Sequence, residues 1–157
     1  MQIKKKERFK VPNAVFAIII RDNNGTDEIL LQKRQNTGIR DDYWDCAAGG
    51  HLESGETLIS SIIREIKEEI NLDVKKENVE FALLSHVNFR STYNSIYNNI
   101  YFLIKDFSGV PKIMEPLKCS ELKWFPLDDL PENIIPDRKI AIVNYLSGIH
   151  YNEFGWD

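Results

Sequence analysis

Apolar residues in this chain gather into short continuous runs and one helical stripe. Val15 to Ile20 is unbroken, flanked by Pro12-Asn13 and by Asp22-Asn23-Asn24-Gly25. That pattern predicts a buried central strand followed by a hairpin turn. Glu28 to Arg34 reads as its partner, and Trp44 to Ala48, rich in small residues, as a tightly packed strand end. Val79 to Val87 and Ile100 to Phe107 predict an antiparallel pair, and Glu121 to Pro126 a short strand. Leu58, Ile59, Ile62, Ile63, Ile66 and Ile70 recur at helical spacing, so a helix is expected there. A second helix is expected over Arg138 to Leu146, ended by Gly148. Between these elements, 35–43, 73–78, 108–120 and 128–136 read as loops or turns, the last with a short helical turn as the alternative, and Phe89 to Asn99 as either the beginning of a second strand or a long hairpin loop. The aromatic stretch Tyr151 to Asp157 is expected to pack back on the fold.

The first helix carries the candidate chemistry. On a helical wheel its apolar residues fill an arc of roughly 140°. Glu69 falls inside that arc, and Glu65 and Glu68 lie just off its edge. Glu65 and Glu68 are three apart, Glu65 and Glu69 four apart, so these carboxylates are neighbours that repel. A carboxylate facing the core is costly unless something pairs with it. One Arg and one Lys on the helix cannot neutralise so many acids, whereas a divalent cation can, and hard oxygen ligands suit Mg²⁺ or Mn²⁺. A solvated acidic face is the plainer reading. The glycine loop just upstream argues against it, because Gly49, Gly50 and Gly55 are expected to take positive φ and bring backbone close to a ligand.

The spacing is Gly50, five residues, Glu56, seven residues, then Arg64-Glu65-Ile66-Lys67-Glu68-Glu69, with Leu72 closing. This stretch resembles the Nudix box, the signature of enzymes that hydrolyse a nucleoside diphosphate linked to another group. Asn71 departs from it, since the family usually has Gly there; Asn is the next-best residue for a left-handed helix cap. The segment WFPLDDLP resembles the later part of the same family, so the likeness spans about 12–147 within a single expected domain, 1–157. It implies an α/β fold, a mixed β-sheet sandwiched between α-helices (an α/β/α sandwich). It also implies that Glu65, Glu68 and Glu69 coordinate Mg²⁺ (or Mn²⁺), with the carbonyl of Gly50 as a further ligand. Arg64 and Glu56 would support that set, Arg64 by pairing with a nearby carboxylate. Glu65 is the first choice of general base, and Glu115 or Glu121 the second.

Around the box the alternatives stay open. Arg34 is either a phosphate contact or a surface residue at a strand end. Trp124 either stacks on a base or packs, and the same holds for Phe89, Tyr93 and Tyr97; Arg90 and His51 are phosphate contacts or local hydrogen-bonding residues. Asn133 and Asp137 follow the Leu-Pro turn, where MutT-type relatives place purine-reading groups. The resemblance implies a Mg²⁺-dependent pyrophosphohydrolase with a small nucleotide substrate, foremost a nucleoside triphosphate, including oxidised ones. ADP-ribose or a nucleotide sugar is the runner-up. The remaining rivals are a non-catalytic nucleotide-binding module, which should have lost box acids, and an isomerase of isopentenyl type, which would need a catalytic Cys such as Cys46 and further metal ligands.

Composition narrows the picture further. A chain of 157 residues with 43% hydrophobic and 11% aromatic residues has the material for one core. Its net charge of −4 argues against a general nucleic-acid partner. The basic run Lys4-Lys5-Lys6 with Arg8 and Lys10 reads as a solubilising segment. Two cysteines, Cys46 and Cys119, have no framework or metal spacing and are expected as small core residues of a reducing compartment. No apolar run is long enough to span a membrane and no signal peptide is evident, so the cytoplasm is expected, with no membrane partner and a homodimer left open.

Overall fold

The computed structural model describes residues 6–157, so Lys4 and Lys5 of the basic run lie outside the described residues. The strands are β1 (Asn13–Asn23), β2 (Thr26–Arg34), β3 (Trp44–Cys46), β4 (Gly49–His51), β5 (Glu80–Asn88), β6 (Ile96–Ile104), β7 (Cys119–Pro126) and β8 (Tyr151–Phe154). The helices are α1 (Leu58–Ile70), the one-turn α2 (Arg90–Tyr93) and α3 (Pro136–Leu146), with a 3₁₀ turn at Lys76–Asn78. Among the described residues no helix is long and apolar enough to cross a membrane. Both cysteines are buried and free.

β1 explains the layering. Side chains alternate faces along a strand. Val15, Ala17 and Ile19 belong to one core with Ile62, Ile66 and Ile70 of α1. Ala14, Phe16, Ile18 and Ile20 belong to a second core with Ala141 and Ile142 of α3. The strand is apolar without alternation because helices cover both of its faces. The result is the expected sandwich of a mixed sheet between helices.

Along one edge β1 runs parallel to β6. Its other edge pairs first with β4, through Ala14 to Phe16, and later with β2, through Ile20 to Asn23. β2 pairs with β1 as far as Ile29 and with β3 from Leu31 onward. The two long strands therefore splay apart like a fork, and residues 44–51 fill the gap. Ala17 N–H donates to the carbonyl of Ala48 at 2.9 Å, and Ala47 and Ala48 are both 0% exposed. Larger side chains would force the fork wider, which accounts for the two alanines. β7 lines the far edge of β2. On the other side of β6 lie β5, antiparallel, and then β8, parallel to β5.

Three elements differ from the sequence expectation. β6 begins at Ile96, four residues before the apolar run, inside the Asn-rich stretch whose two readings were a strand start and a hairpin loop. The loop before it contains α2. The aromatic stretch after α3 does pack back, and does so as a sheet strand, β8.

Candidate active site

α1 is fixed at both ends. Thr57 caps its start: the Thr57 hydroxyl accepts from Ser60 N–H at 3.0 Å, and the Ser60 hydroxyl accepts from Thr57 N–H at 2.9 Å, a reciprocal capping box. At its end Asn71 adopts φ 59°, ψ 30°, the left-handed cap conformation. The residue that departs from the box pattern thus fills the conformational role of the usual glycine.

The acids on α1 divide between two environments. Arg64 is a hub: its guanidinium donates to both Glu56 oxygens, to Glu65 at 2.8 Å and to Glu68 at 3.1 Å. The Arg64 hydrogen bonds hold the Glu56 carboxyl down at about 2. Glu68 is largely exposed. Glu69 points inward, and its carboxylate accepts one neutral hydrogen bond, from Gly49 N–H at 2.7 Å. Burial first, and then the nearby acids Glu65, Asp45 and Glu115, push its carboxyl up to about 8. Burial also raises Glu65, against the pull of Arg64. Among the described residues no three His, Cys, Asp or Glu side chains already stand in a coordinating arrangement. Glu65 and Glu68 are drawn to Arg64 and Glu69 to a backbone amide, as expected of repelling carboxylates that take whatever donors are near.

The glycines act by size more than by torsion. Of the three expected to take positive φ, only Gly55 does, at 86°. Gly49 and Gly50 are strand residues of β4. A Cβ on Gly50 would overlap the Glu65 carboxylate, and one on Gly49 would overlap the Phe16 ring. The sheet edge thereby lies directly over the acids of α1.

From Gly49, Gly50 and Glu69 a cleft runs past Arg34, Asp45 and Arg138. The same three residues line its continuation, which ends at Phe89, Tyr93 and Phe154. Asp45, 4% exposed, holds both arginines: Oδ2 accepts from Arg34 Nη1 at 3.1 Å and Oδ1 from Arg138 Nε at 2.9 Å. Arg138 also donates from Nη1 to Asp137 and lies over the Phe16 ring, 3.7 Å from its centroid. Among the described residues the Nη2 of each guanidinium has no charged partner. An acidic end, an arginine pair and an aromatic end follow one another along one groove.

A family model described as NUDIX domain matches residues 11–144. The chain belongs to the Nudix family. Similar proteins include a dihydroneopterin triphosphate diphosphatase of Escherichia coli, 30% identical over 55% of this chain and 59% of that protein. The match therefore spans less than two thirds of that relative's length. An ADP-ribose pyrophosphatase of Methanocaldococcus jannaschii is 32% identical over 81% of this chain and 69% of its own. Among solved structures, a MutT NUDIX hydrolase of Burkholderia pseudomallei superposes with a TM-score of 0.74 at 26% identity, covering 86% of this chain and 98% of that one.

On this Nudix chain the residues singled out from sequence fall in different places. Gly50, Glu69 and Arg34 line the cleft, and Arg64, Glu56, Glu65 and Glu68 form the ion-pair group beside it. Glu115 shares a side branch of the groove with Glu69 and Arg34. Asp137 is buried against Arg138 at the floor. Trp124 lies elsewhere, stacked near Phe107 with Arg21 over its ring at 4.2 Å. Glu121 is exposed on β7, opposite Lys33. Asn133 donates to the Asp42 carbonyl at 2.8 Å and is spent on loop structure. Phe89 and Tyr93 stand at the aromatic end, whereas Tyr97 stacks on His51. Cys46 borders the cleft, but burial and Asp45 push its thiol far up, away from a reactive thiolate. Sequence reasoning missed Asp45, Arg138 and Phe154. Only the charge of Arg138 at the start of an apolar helix face hinted at a buried role.

Proposed function

We propose that this chain is a divalent-cation-dependent pyrophosphohydrolase whose substrate is a nucleoside diphosphate linked to another group. The observation that carries the reading is Glu69: a carboxylate at the acidic end of the groove, beside Glu65, with one neutral donor and, among the described residues, no cationic side chain of its own. A half-buried carboxylate so placed calls for a cation. Glu65, Glu68 and Glu69, with the Gly50 carbonyl, supply the hard oxygen donors that Mg²⁺ or Mn²⁺ prefers. A cation bound there would neutralise phosphate charge and lower the pKa of an attacking water.

The chain's own groups do the rest. Arg64 holds Glu56, Glu65 and Glu68 against repulsion and restricts their rotamers. Arg34 and Arg138 face the middle of the groove with donors to spare, suited to phosphate oxygens. Glu65 is the first candidate to take the proton from water and Glu115, on the side branch it shares with Glu69, the second. Phosphate at the acidic end, phosphate on the arginines and a ring at the aromatic end give the substrate its orientation.

Nucleoside triphosphates are the lead substrates, a shape shared by the dihydroneopterin triphosphate of one relative's name. ADP-ribose is the second reading, favoured by a relative that matches 81% of this chain. Incubating the protein with nucleoside triphosphates, dihydroneopterin triphosphate, ADP-ribose and nucleotide sugars, with Mg²⁺ or with EDTA, tests both readings. Release of phosphate, pyrophosphate or nucleoside monophosphate from at least one of them is expected with Mg²⁺ only, and Glu68→Gln should remove it while the fold persists. Turnover that survives both EDTA and Glu68→Gln would refute the assignment.

A further inference from the structure

The far end of the groove is built from two distant parts of the chain. Phe89 and Tyr93 come from the short connection between β5 and β6, and Phe154 comes from β8. The Phe89 ring lies 5.5 Å from that of Tyr93, edge-on, and 6.2 Å from that of Phe154. Clustered aromatic rings at the mouth of a groove suit a flat heteroaromatic ring, which they stack against with tolerance for its identity.

Phe154 is held there by the residues around it. β8 runs parallel to β5, Leu84 to Val87 beside Tyr151 to Phe154. Immediately after Phe154 the backbone turns at Gly155, where φ is 75°. A Cβ at Gly155 would overlap the carbonyl of Asn88, so only glycine lets the chain pass this close to the end of β5. Trp156 then stacks on the His86 ring, centroids 4.7 Å apart, and donates from Nε1 to the His86 carbonyl at 2.9 Å. Three consecutive residues thus line the groove, turn the chain and anchor it.

We propose that β8 belongs to the substrate-recognition apparatus, and that Phe154 is a specificity-determining residue that forms, with Phe89 and Tyr93, the receptor for the flat ring of a nucleotide-like substrate. Trp156 is a positioning residue that acts through Phe154. This rests on the hydrolase reading for the kind of substrate and on the geometry for its place.

The test separates ring binding from phosphate binding and from turnover. AMP and GMP are the ring-bearing probes and tripolyphosphate the ringless one, each titrated to millimolar concentration against the intact protein by NMR. Phe154→Ala and the exposed-site variant Tyr93→Ala should weaken AMP and GMP about tenfold. Tripolyphosphate affinity should stay within about twofold, and Phe154→Tyr should restore nucleotide affinity. Trp156→Ala should weaken the nucleotides in the same sense. Unchanged AMP and GMP affinity in both Phe154→Ala and Tyr93→Ala, a parallel loss of tripolyphosphate, or no nucleotide binding by the wild type would each overturn the proposal. Phosphate release from the substrate panel judges the hydrolase reading separately, so the two can fail independently.

Discussion

In the metal-free protein Glu69 lowers stability as pH rises from the acid range towards about 8. Its carboxyl is raised to about 8 from 4.5, so between those values the folded chain keeps a proton that the unfolded chain has released. Stability in EDTA is therefore greatest on the acid side and falls as pH rises through about 8, by up to about 1.4 kcal/mol per pH unit. Thermal melts between pH 5 and pH 8 should show that slope, and Glu69→Gln should flatten it. Added Mg²⁺ at pH 8 should raise the wild-type midpoint more than that of Glu69→Gln. Glu56 works in the opposite sense: held at about 2 by Arg64, its contribution is complete above the usual carboxylate range and is lost only as pH falls through about 2. At this scale the inward direction of Glu69 was legible, because a carboxylate within an apolar arc has nowhere else to point. Asp45 and Arg138 were not legible, because their pairing joins β3 to the start of α3 and leaves no local pattern.

Among the elements, α1 was the most legible, since period, cap and terminator agree. Thr57→Ala removes one side of the capping box and should cost about 1 kcal/mol in urea denaturation. Asn71→Gly should change stability and turnover little, because the backbone there already occupies the left-handed region; a loss above about 1 kcal/mol in the same melts would refute that account. β6 was harder to read. Its first half carries Asn98 and Asn99, residues that ordinarily mark loops. In the sheet, Asn98 bonds across strands to the His86 ring at 2.8 Å and to Asn13 at 3.3 Å, so neighbours absent from the local window satisfy its amide. β8 escaped notice for the same reason: four residues become a strand only because the edge of β5 awaits them.

Across the whole molecule, the groove floor doubles as a fastener between layers. Arg138, on α3, ties that helix to Asp45 of β3 and lies against Phe16 of β1. Arg138→Met keeps much of the apolar contact but leaves Asp137 buried without its cation, and should destabilise the fold by about 3 kcal/mol in chemical denaturation. Arg34→Met, on a more exposed side chain, should cost less. The sandwich itself was legible from the unbroken apolar run of β1, whereas the fork was not, because it arises from β1 changing partners midway. β1 also carries a constraint of parity. Its odd positions serve the helix with the acids and its even positions serve the groove floor, so one residue gained or lost between Asn13 and Ile20 would exchange the two sets. Over that stretch a single extra residue needs a bulge to absorb it, while the turn at Asn24-Gly25 can lengthen at small entropic cost.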